Sequence, residues 1–167
     1  RHNGFEKIVA TNKDLVIAGK YEGNWLKETA SNQVEKHLHS FTNVDVVFAH
    51  NDQMALGVYE VLKKHNLQKN IVLIGTDALY GRGNGLDLIE RKILKASILY
   101  PTGGQEAIRT AIKILNREPF QKNTILNTAV IDASNVQLMK MQEERLDKQH
   151  QSIQRQQGLL DEQVRVY

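Results

Sequence analysis

The sequence predicts an α/β fold: a parallel, doubly wound sheet followed by a long C-terminal helix with coiled-coil character. Four short apolar runs, rich in β-branched residues, are spaced along the first 100 residues. Each run is separated from the next by a segment with helical periodicity, as parallel strands require. A seven-residue repeat after residue 134 predicts the long helix.

The first part of the chain alternates helix and strand. A helical pattern over residues 5–12 ends at a polar turn, Asn12-Lys13-Asp14, and the apolar run 15–18 that follows is a predicted strand. Later elements are expected in this order: a helix from Trp25 to about Ser40, a strand over 44–49, a helix over 54–62 that ends at His65-Asn66, a strand over 71–75, a short helix over 86–93 and a strand over 96–99.

The remaining elements are of a different kind. A helix is expected over residues 103–117, stopped by Pro119, and residues 125–131 have the partial alternation of an extended segment. Ser134 and Gln137 have the spacing of a capping box, which would start the final helix. In that helix an apolar residue recurs every seven positions with a glutamine three places later: Met139, Leu146, Ile153 and Leu160, then Gln142, Gln149, Gln156 and Gln163.

This repeat predicts a weakly held coiled coil, because one seam position is apolar and the other is a glutamine. The register of such a helix pair shifts easily, which suits a signalling element better than a static dimer clamp.

Composition narrows the function classes. The 167 residues carry 22 Lys and Arg against 19 Asp and Glu, a balance too even to predict a nucleic-acid partner. Without cysteine, neither a disulfide framework nor a thiolate metal site is possible. No apolar run has the length of a membrane span, and the start, Arg1 to Phe5, has neither an initiating Met nor a signal pattern. We therefore expect an internal part of a longer protein.

Four loops follow the carboxyl ends of the predicted strands, and ligands bind at that edge of open α/β sheets. They contain Gly19-Lys20-Tyr21, His50-Asn51-Asp52, Thr76-Asp77-Ala78 and Tyr100-Pro101-Thr102. Any binding site is expected there.

One stretch carries a family resemblance. Residues 44–57, Val-Asp-Val-Val-Phe-Ala-His-Asn-Asp-Gln-Met-Ala-Leu-Gly, resemble the signature region of the type 1 periplasmic binding proteins, close to ribose-binding protein. Residues 71–77 and Arg1 to Phe5 agree with it. The resemblance covers about residues 1–131 and implies one lobe of a two-lobed fold that closes on a sugar. It assigns residues 1–100 to the second lobe, 101–133 to a segment returning to the first lobe and to the hinge, and 134–167 to a signalling or oligomerisation helix.

The resemblance places sugar ligands of this lobe at Arg1, Trp25, Asn51 and Asp77, with Tyr100 on the hinge side. The residue types suit a sugar: a carboxylate accepts hydroxyl hydrogen bonds, an amide both donates and accepts, and a guanidinium presents a rigid fork of donors. An indole offers a flat apolar face to a sugar ring. The family often has Phe at the position of Trp25 and Gln at that of Tyr100, so the identity of the sugar stays open.

Each of these residues has a plainer alternative. Asp77 and Asn51 follow strands, where Asp and Asn often cap helices or form turns. Trp25, the only tryptophan, could belong to a core, and Tyr100 could pack at the hinge. Arg1 stands at the chain start, where fraying is expected.

No catalytic, metal or cofactor site is predicted. The glycine-rich segment 81–85 lacks the spacing of a dinucleotide fingerprint, which counts against a nucleotide-dependent oxidoreductase. His37 and His39 are two residues apart and so lie on different faces of a helix, which does not favour a metal site.

Three functions remain open. The first is the periplasmic sugar-sensing domain of a two-component receptor, with a homodimer through the C-terminal helix and an inner-membrane anchor outside this chain. The second is a free sugar-binding protein of an ABC transporter, and the third is the effector domain of a lactose-repressor-like transcription factor. The long helix favours the sensor, as found in hybrid histidine kinases. A small monosaccharide and the first lobe of the same protein are the expected partners.

Overall fold

The computed structural model describes the backbone of residues 1–165 and the side chains of residues 1–157. A four-stranded sheet has the order β1-β2-β3-β4, in which the first three strands are parallel and β4 is antiparallel to β3. The elements are α1 (His2–Thr11), α2 (Lys27–Lys36), a 3₁₀ helix (Leu38–Asn43), β1 (Val46–Phe48), α3 (Asp52–Lys64), β2 (Val72–Asp77), α4 (Gly85–Glu90), β3 (Ala96–Leu99), α5 (Gly104–Leu115), β4 (Val130–Asp132) and α6 (Val136–Arg165). The predicted α/β class with a long C-terminal helix is confirmed.

The predicted strand at residues 15–18 is wrong. Its residues belong to no strand, and β1 is the edge of the sheet on that side. An apolar run forms a buried strand only where other elements cover it, and Val16 is 86% exposed. The fourth strand is instead β4, from the end of the segment predicted to be extended, and it adds one antiparallel edge strand to an otherwise parallel sheet.

The core lies between the sheet and the helices α2, α3 and α4. Leu62, Leu86, Leu88 and Ile131 are among its most deeply buried side chains. Helices α2 and α3 approach closely at Gly57, where a Cβ atom would overlap the carbonyl oxygen of Lys27. This contact explains the glycine that ends the signature region.

Helix α6 begins on the core and then leaves it. Val136 is buried and Met139 packs against the core, but Leu146 and Ile153 are exposed. The predicted coiled coil stays a prediction, and Leu160 and Gln163 lie outside the described side chains.

The predicted capping box at Ser134 and Gln137 is wrong. The Ser134 hydroxyl donates to the carboxylate of Asp132, and Gln137 donates to Glu90. Both side chains have other partners, and the helix begins at Val136, one residue later than a cap at Ser134 would give. Across residues 1–165, no helix is long and apolar enough to cross a lipid bilayer.

Candidate functional site

Three loops meet at the carboxyl edge of the parallel strands. His50 and Asn51 follow β1, Asp77 ends β2, and Tyr100 follows β3. These strands are neighbours and parallel, so their carboxyl ends lie side by side. Three of the four loops predicted at this edge therefore lie there, whereas the loop at residues 19–21 follows a segment that forms no strand.

Arg1 is the centre of this edge. Its Nη2 lies 2.7 Å from Oδ1 of Asp77 in an ion pair, and its Nη1 donates to the carbonyl oxygen of His50. The guanidinium carbon lies 4.1 Å from the centre of the Tyr100 ring and 5.3 Å from that of Trp25. One cation thus brings together a carboxylate and two aromatic rings from three parts of the chain, and Arg1 is held in place rather than frayed.

Asn51 joins the site through its amide. Its Oδ1 accepts the backbone N–H of Met54 at 2.7 Å, so it is the N-cap of α3, as the plainer alternative expected. Its Nδ2 donates to the carbonyl oxygen of Trp25 at 3.0 Å and so holds that loop. An amide offers two donor hydrogens and two acceptor lone pairs, and therefore one of each is left after these two bonds.

Two pairs of residues at this edge have left-handed backbone conformations. Asn24 and Trp25 have φ values of 48° and 63°, and Asp77 and Ala78 have values of 111° and 51°. Each such non-glycine residue costs on the order of 1–3 kcal/mol and persists only where the surroundings enforce it. Strain of this kind clusters at functional sites, and here it falls on Trp25 and Asp77.

Two further residues beside this edge were not predicted from the sequence. The His50 ring lies 6.3 Å from Trp25 and 5.6 Å from Phe48, and burial, followed by the charge of His2, lowers the pKa of its imidazole. Asp52 is buried behind Asp77, and burial raises the pKa of its carboxyl to about 6. The signal for both was their position beside Asn51 in a loop already singled out.

Two features that the sequence analysis set aside, His37 and the glycine-rich segment 81–85, make contacts within the fold. The ring of His37 packs against Tyr21, with 4.9 Å between ring centres. The glycine-rich segment forms a turn in which the N–H of Gly83 donates to Asp87. His37 and Gly83 are therefore held by neighbouring residues of the same chain.

A sequence profile of the periplasmic binding protein domain matches residues 1–119. The chain belongs to this family. Its sheet and helices are those of one lobe of the two-lobed fold, and the family indicates a periplasmic location.

Several relatives show the same likeness. The fructose-binding periplasmic domain of a hybrid two-component system is 32% identical with a TM-score of 0.90, over 94% of this chain and 52% of that one. A D-apiose import binding protein of Paraburkholderia graminis is 25% identical over 145 residues, 84% of this chain and 45% of that protein. A ribose import binding protein of Haemophilus influenzae is 28% identical over 133 residues, 78% of this chain and 44% of that protein. The chain therefore spans about half the length of the proteins it matches.

Proposed function

We propose that this chain is one lobe of the periplasmic carbohydrate-sensing domain of a two-component receptor. This lobe binds a small sugar against the first lobe of the same protein, and closure of the two lobes moves α6. The observation that carries the proposal is the cluster of Arg1, Asp77, Trp25 and Tyr100 at the carboxyl edge of three parallel strands. The similarity to a fructose-binding domain of a hybrid two-component system supports it.

Each group of the cluster has a role in holding a sugar. The Asp77 carboxylate accepts hydroxyl hydrogen bonds and Arg1 donates to hydroxyl or ring oxygens, and such charge-assisted bonds are about twice as strong as neutral ones. The exposed ring of Trp25 offers its face to the C–H side of the sugar. The free donor and acceptor of Asn51 match a further hydroxyl.

The chain supplies one wall of the site, and closure needs the first lobe. We assign residues 101–133 to the connection with that lobe and to the hinge, since α5 buries none of its side chains within the described chain. The hinge lies near Tyr100-Pro101 and residues 128–131. Sugar shifts the open-to-closed equilibrium by its higher affinity for the closed form.

The docking of α6 favours a sensor over a transporter protein. Glu90, at the end of α4, accepts hydrogen bonds from Gln137 and Lys140 of α6, both at 2.6 Å. A rigid movement of the lobe therefore moves the base of a long helix. We assign the rest of α6 to a homodimer contact, and the inner-membrane anchor and the kinase to parts of the parent protein outside this chain.

Calorimetry on the intact parent protein tests the site. With D-fructose and D-ribose as probes, Asp77→Asn is expected to weaken binding about 100-fold, because it removes a charge-assisted acceptor and leaves Arg1 without its counter-charge. Asp45→Asn is the matched control, since Asp45 is exposed beside the opposite end of β1. Equal affinities in the two variants would remove Asp77 from the site.

A second candidate is a free binding protein that delivers sugar to an ABC transporter. The import binding proteins among the relatives favour it. Autophosphorylation of the parent protein that changes with sugar supports the sensor. Sugar binding by a parent without kinase activity supports the transporter protein.

A further inference from the structure

Asp52 is a buried carboxylate that sits behind the cluster rather than in it. It is 4% exposed, in the first turn of α3. Its Oδ2 accepts the backbone N–H of Ala78 at 2.8 Å, and its Oδ1 accepts the hydroxyl of Ser97 at 2.6 Å. It thus ties the start of α3 to the loop after β2 and to β3.

The Ala78 N–H is the group that fixes the turn at Asp77. Both residues have positive φ values, 111° and 51°, in a region that L-residues with side chains avoid. The Ala78 N–H is shared between Asp52 and the Ser97 Oγ, which lies 3.0 Å away. These two acceptors offset the strain of the turn, and the turn sets the direction of the Asp77 side chain.

Two glycines leave space for the Asp52 carboxylate. A Cβ atom at Gly75 would overlap Oδ1 of Asp52, and one at Gly85 would overlap Oδ2. Glycines on β2 and α4 therefore leave space for both oxygens. An ordinary first-turn acid lies at the helix surface, where it interacts with the helix dipole, and needs no such space.

We propose that Asp52 is a positioning residue: it holds the left-handed turn at Asp77 and Ala78 and thereby aims the Asp77 carboxylate at Arg1 and the ligand. The role in ligand binding rests on the proposed function of Asp77. The effect on the turn does not, because it belongs to the ligand-free lobe. Burial of the charge supports a dedicated role, since it raises the pKa of Asp52 to about 6 and so disfavours the ionised form.

Hydrogen–deuterium exchange on the ligand-free parent protein tests the turn. With fragmentation to single amides, Asp52→Ala is expected to lower the protection of the Ala78 amide about tenfold through the lost hydrogen bond. Asp52→Asn restores protection, because its amide oxygen accepts the same N–H. Asp87→Asn is the matched control: Asp87 accepts the N–H of Gly83 rather than that of Ala78. Unchanged protection in Asp52→Ala would overturn the proposal whatever sugar does.

A pH series keeps the proposal testable if Asp52→Ala fails to fold. When the turn opens while Asp52 stays buried, only the Ala78 hydrogen bond is lost, and that bond is weaker to a neutral carboxyl than to a carboxylate. Wild-type Ala78 protection is therefore expected to fall about threefold from about pH 7.5 to about pH 5, although global stability changes in the opposite direction over this range. Asp77 and Arg1 are the charged groups acting on Asp52. The fall is absent in Asp52→Asn, and equal profiles in the two proteins would overturn the proposal.

Calorimetry with D-fructose and D-ribose separates this inference from the proposed function. Asp52→Ala is expected to weaken binding about tenfold, and Asp52→Asn to stay within about threefold of wild type. Loss of Ala78 protection with unchanged affinity would overturn the positioning role. If wild-type protein binds neither probe, the result counts against the proposed function, and Ala78 protection alone decides whether Asp52 holds the turn.

Discussion

Asp52 combines a structural benefit with an energetic cost. Its two oxygens satisfy the Ala78 N–H and the Ser97 hydroxyl, but burial disfavours the charge that makes them good acceptors. The pKa rises from its usual value of 3.8 to about 6, so the folded protein binds this proton more tightly than the unfolded chain. Binding of this proton therefore stabilises the folded protein. This contribution is complete below about pH 3.8 and is lost as the pH rises through about 6.

Asp52→Asn is therefore expected to change how stability depends on pH. Between about pH 4.5 and about pH 7.5, the free energy of unfolding of the wild type falls by about 2 kcal/mol more than that of the variant. Urea denaturation followed by circular dichroism at the two pH values measures this difference. Asp132→Asn is the control for removal of a carboxylate, because the Ser134 hydrogen bonds lower the Asp132 pKa and give the opposite sign. Parallel wild-type and Asp52→Asn profiles would contradict the shift.

The residues of the site differ in how far the sequence can reveal them. Arg1, Trp25, Asn51, Asp77 and Tyr100 were predicted from the family resemblance and the strand-edge rule; the structure places them at one edge, and their binding of a sugar stays a prediction. Asp52 was not found, because a first-turn acid has the same local sequence whether it is exposed or buried. Its burial depends on distant glycines of β2 and α4, which periodicity cannot connect to it.

The helices and strands that the sequence predicts correctly are those whose apolar residues are buried in the core. The helices α3 and α4 and the strands β2 and β3 lie in the core, and their positions agree with the predicted ones to within a few residues. The run at residues 15–18 has the same composition as a core strand but is paired with nothing in the fold. Strand pairing is a property of two segments, and a pattern in one segment does not specify the other.

An ion pair and a hydrogen bond hold the start of α6 against α4. Glu90 and Lys140 are about three-quarters buried, with side chains 24% and 27% exposed, and Lys140 lowers the Glu90 pKa. Beside them Val136 is buried and Met139 packs against the core. The first turns of α6 are therefore anchored to the lobe, and the later turns, as far as residue 157, do not contribute to its core.

Lys140→Met is expected to uncouple sugar binding from output in the parent protein. It removes the ion pair with Glu90, far from the sugar edge, so affinity for D-fructose or D-ribose should stay within about twofold, while the sugar-dependent change in autophosphorylation falls severalfold. Lys148→Met, the same substitution two turns further along α6, is the control. A full response in Lys140→Met would show that closure reaches the helix by another route.

At the scale of the whole molecule, the chain presents an apolar helix that its own core does not cover. Ile108, Ile112 and Leu115 are spaced at i, i+4 and i+7 on one side of α5, and Ile112 and Leu115 are 52% and 81% exposed. Contiguous apolar surface of this kind marks an interaction site. The occupant that we propose is the first lobe of the same protein, because the family fold has two lobes and this chain spans about half of its relatives.

Ile112→Asp tests this assignment in two proteins, the isolated chain and the two-lobed parent. In the isolated chain the uncovered stripe should cause self-association, and the added charge should abolish it, as measured by sedimentation velocity. In the two-lobed parent the same substitution buries an unpaired charge, so the free energy of unfolding should fall by about 3 kcal/mol or more. Lys113→Asp places a carboxylate at an exposed position of α5 away from this stripe and should do neither. If Ile112→Asp left the stability of the parent unchanged, α5 would face solvent there, and residues 101–133 would not belong to the connection between the lobes.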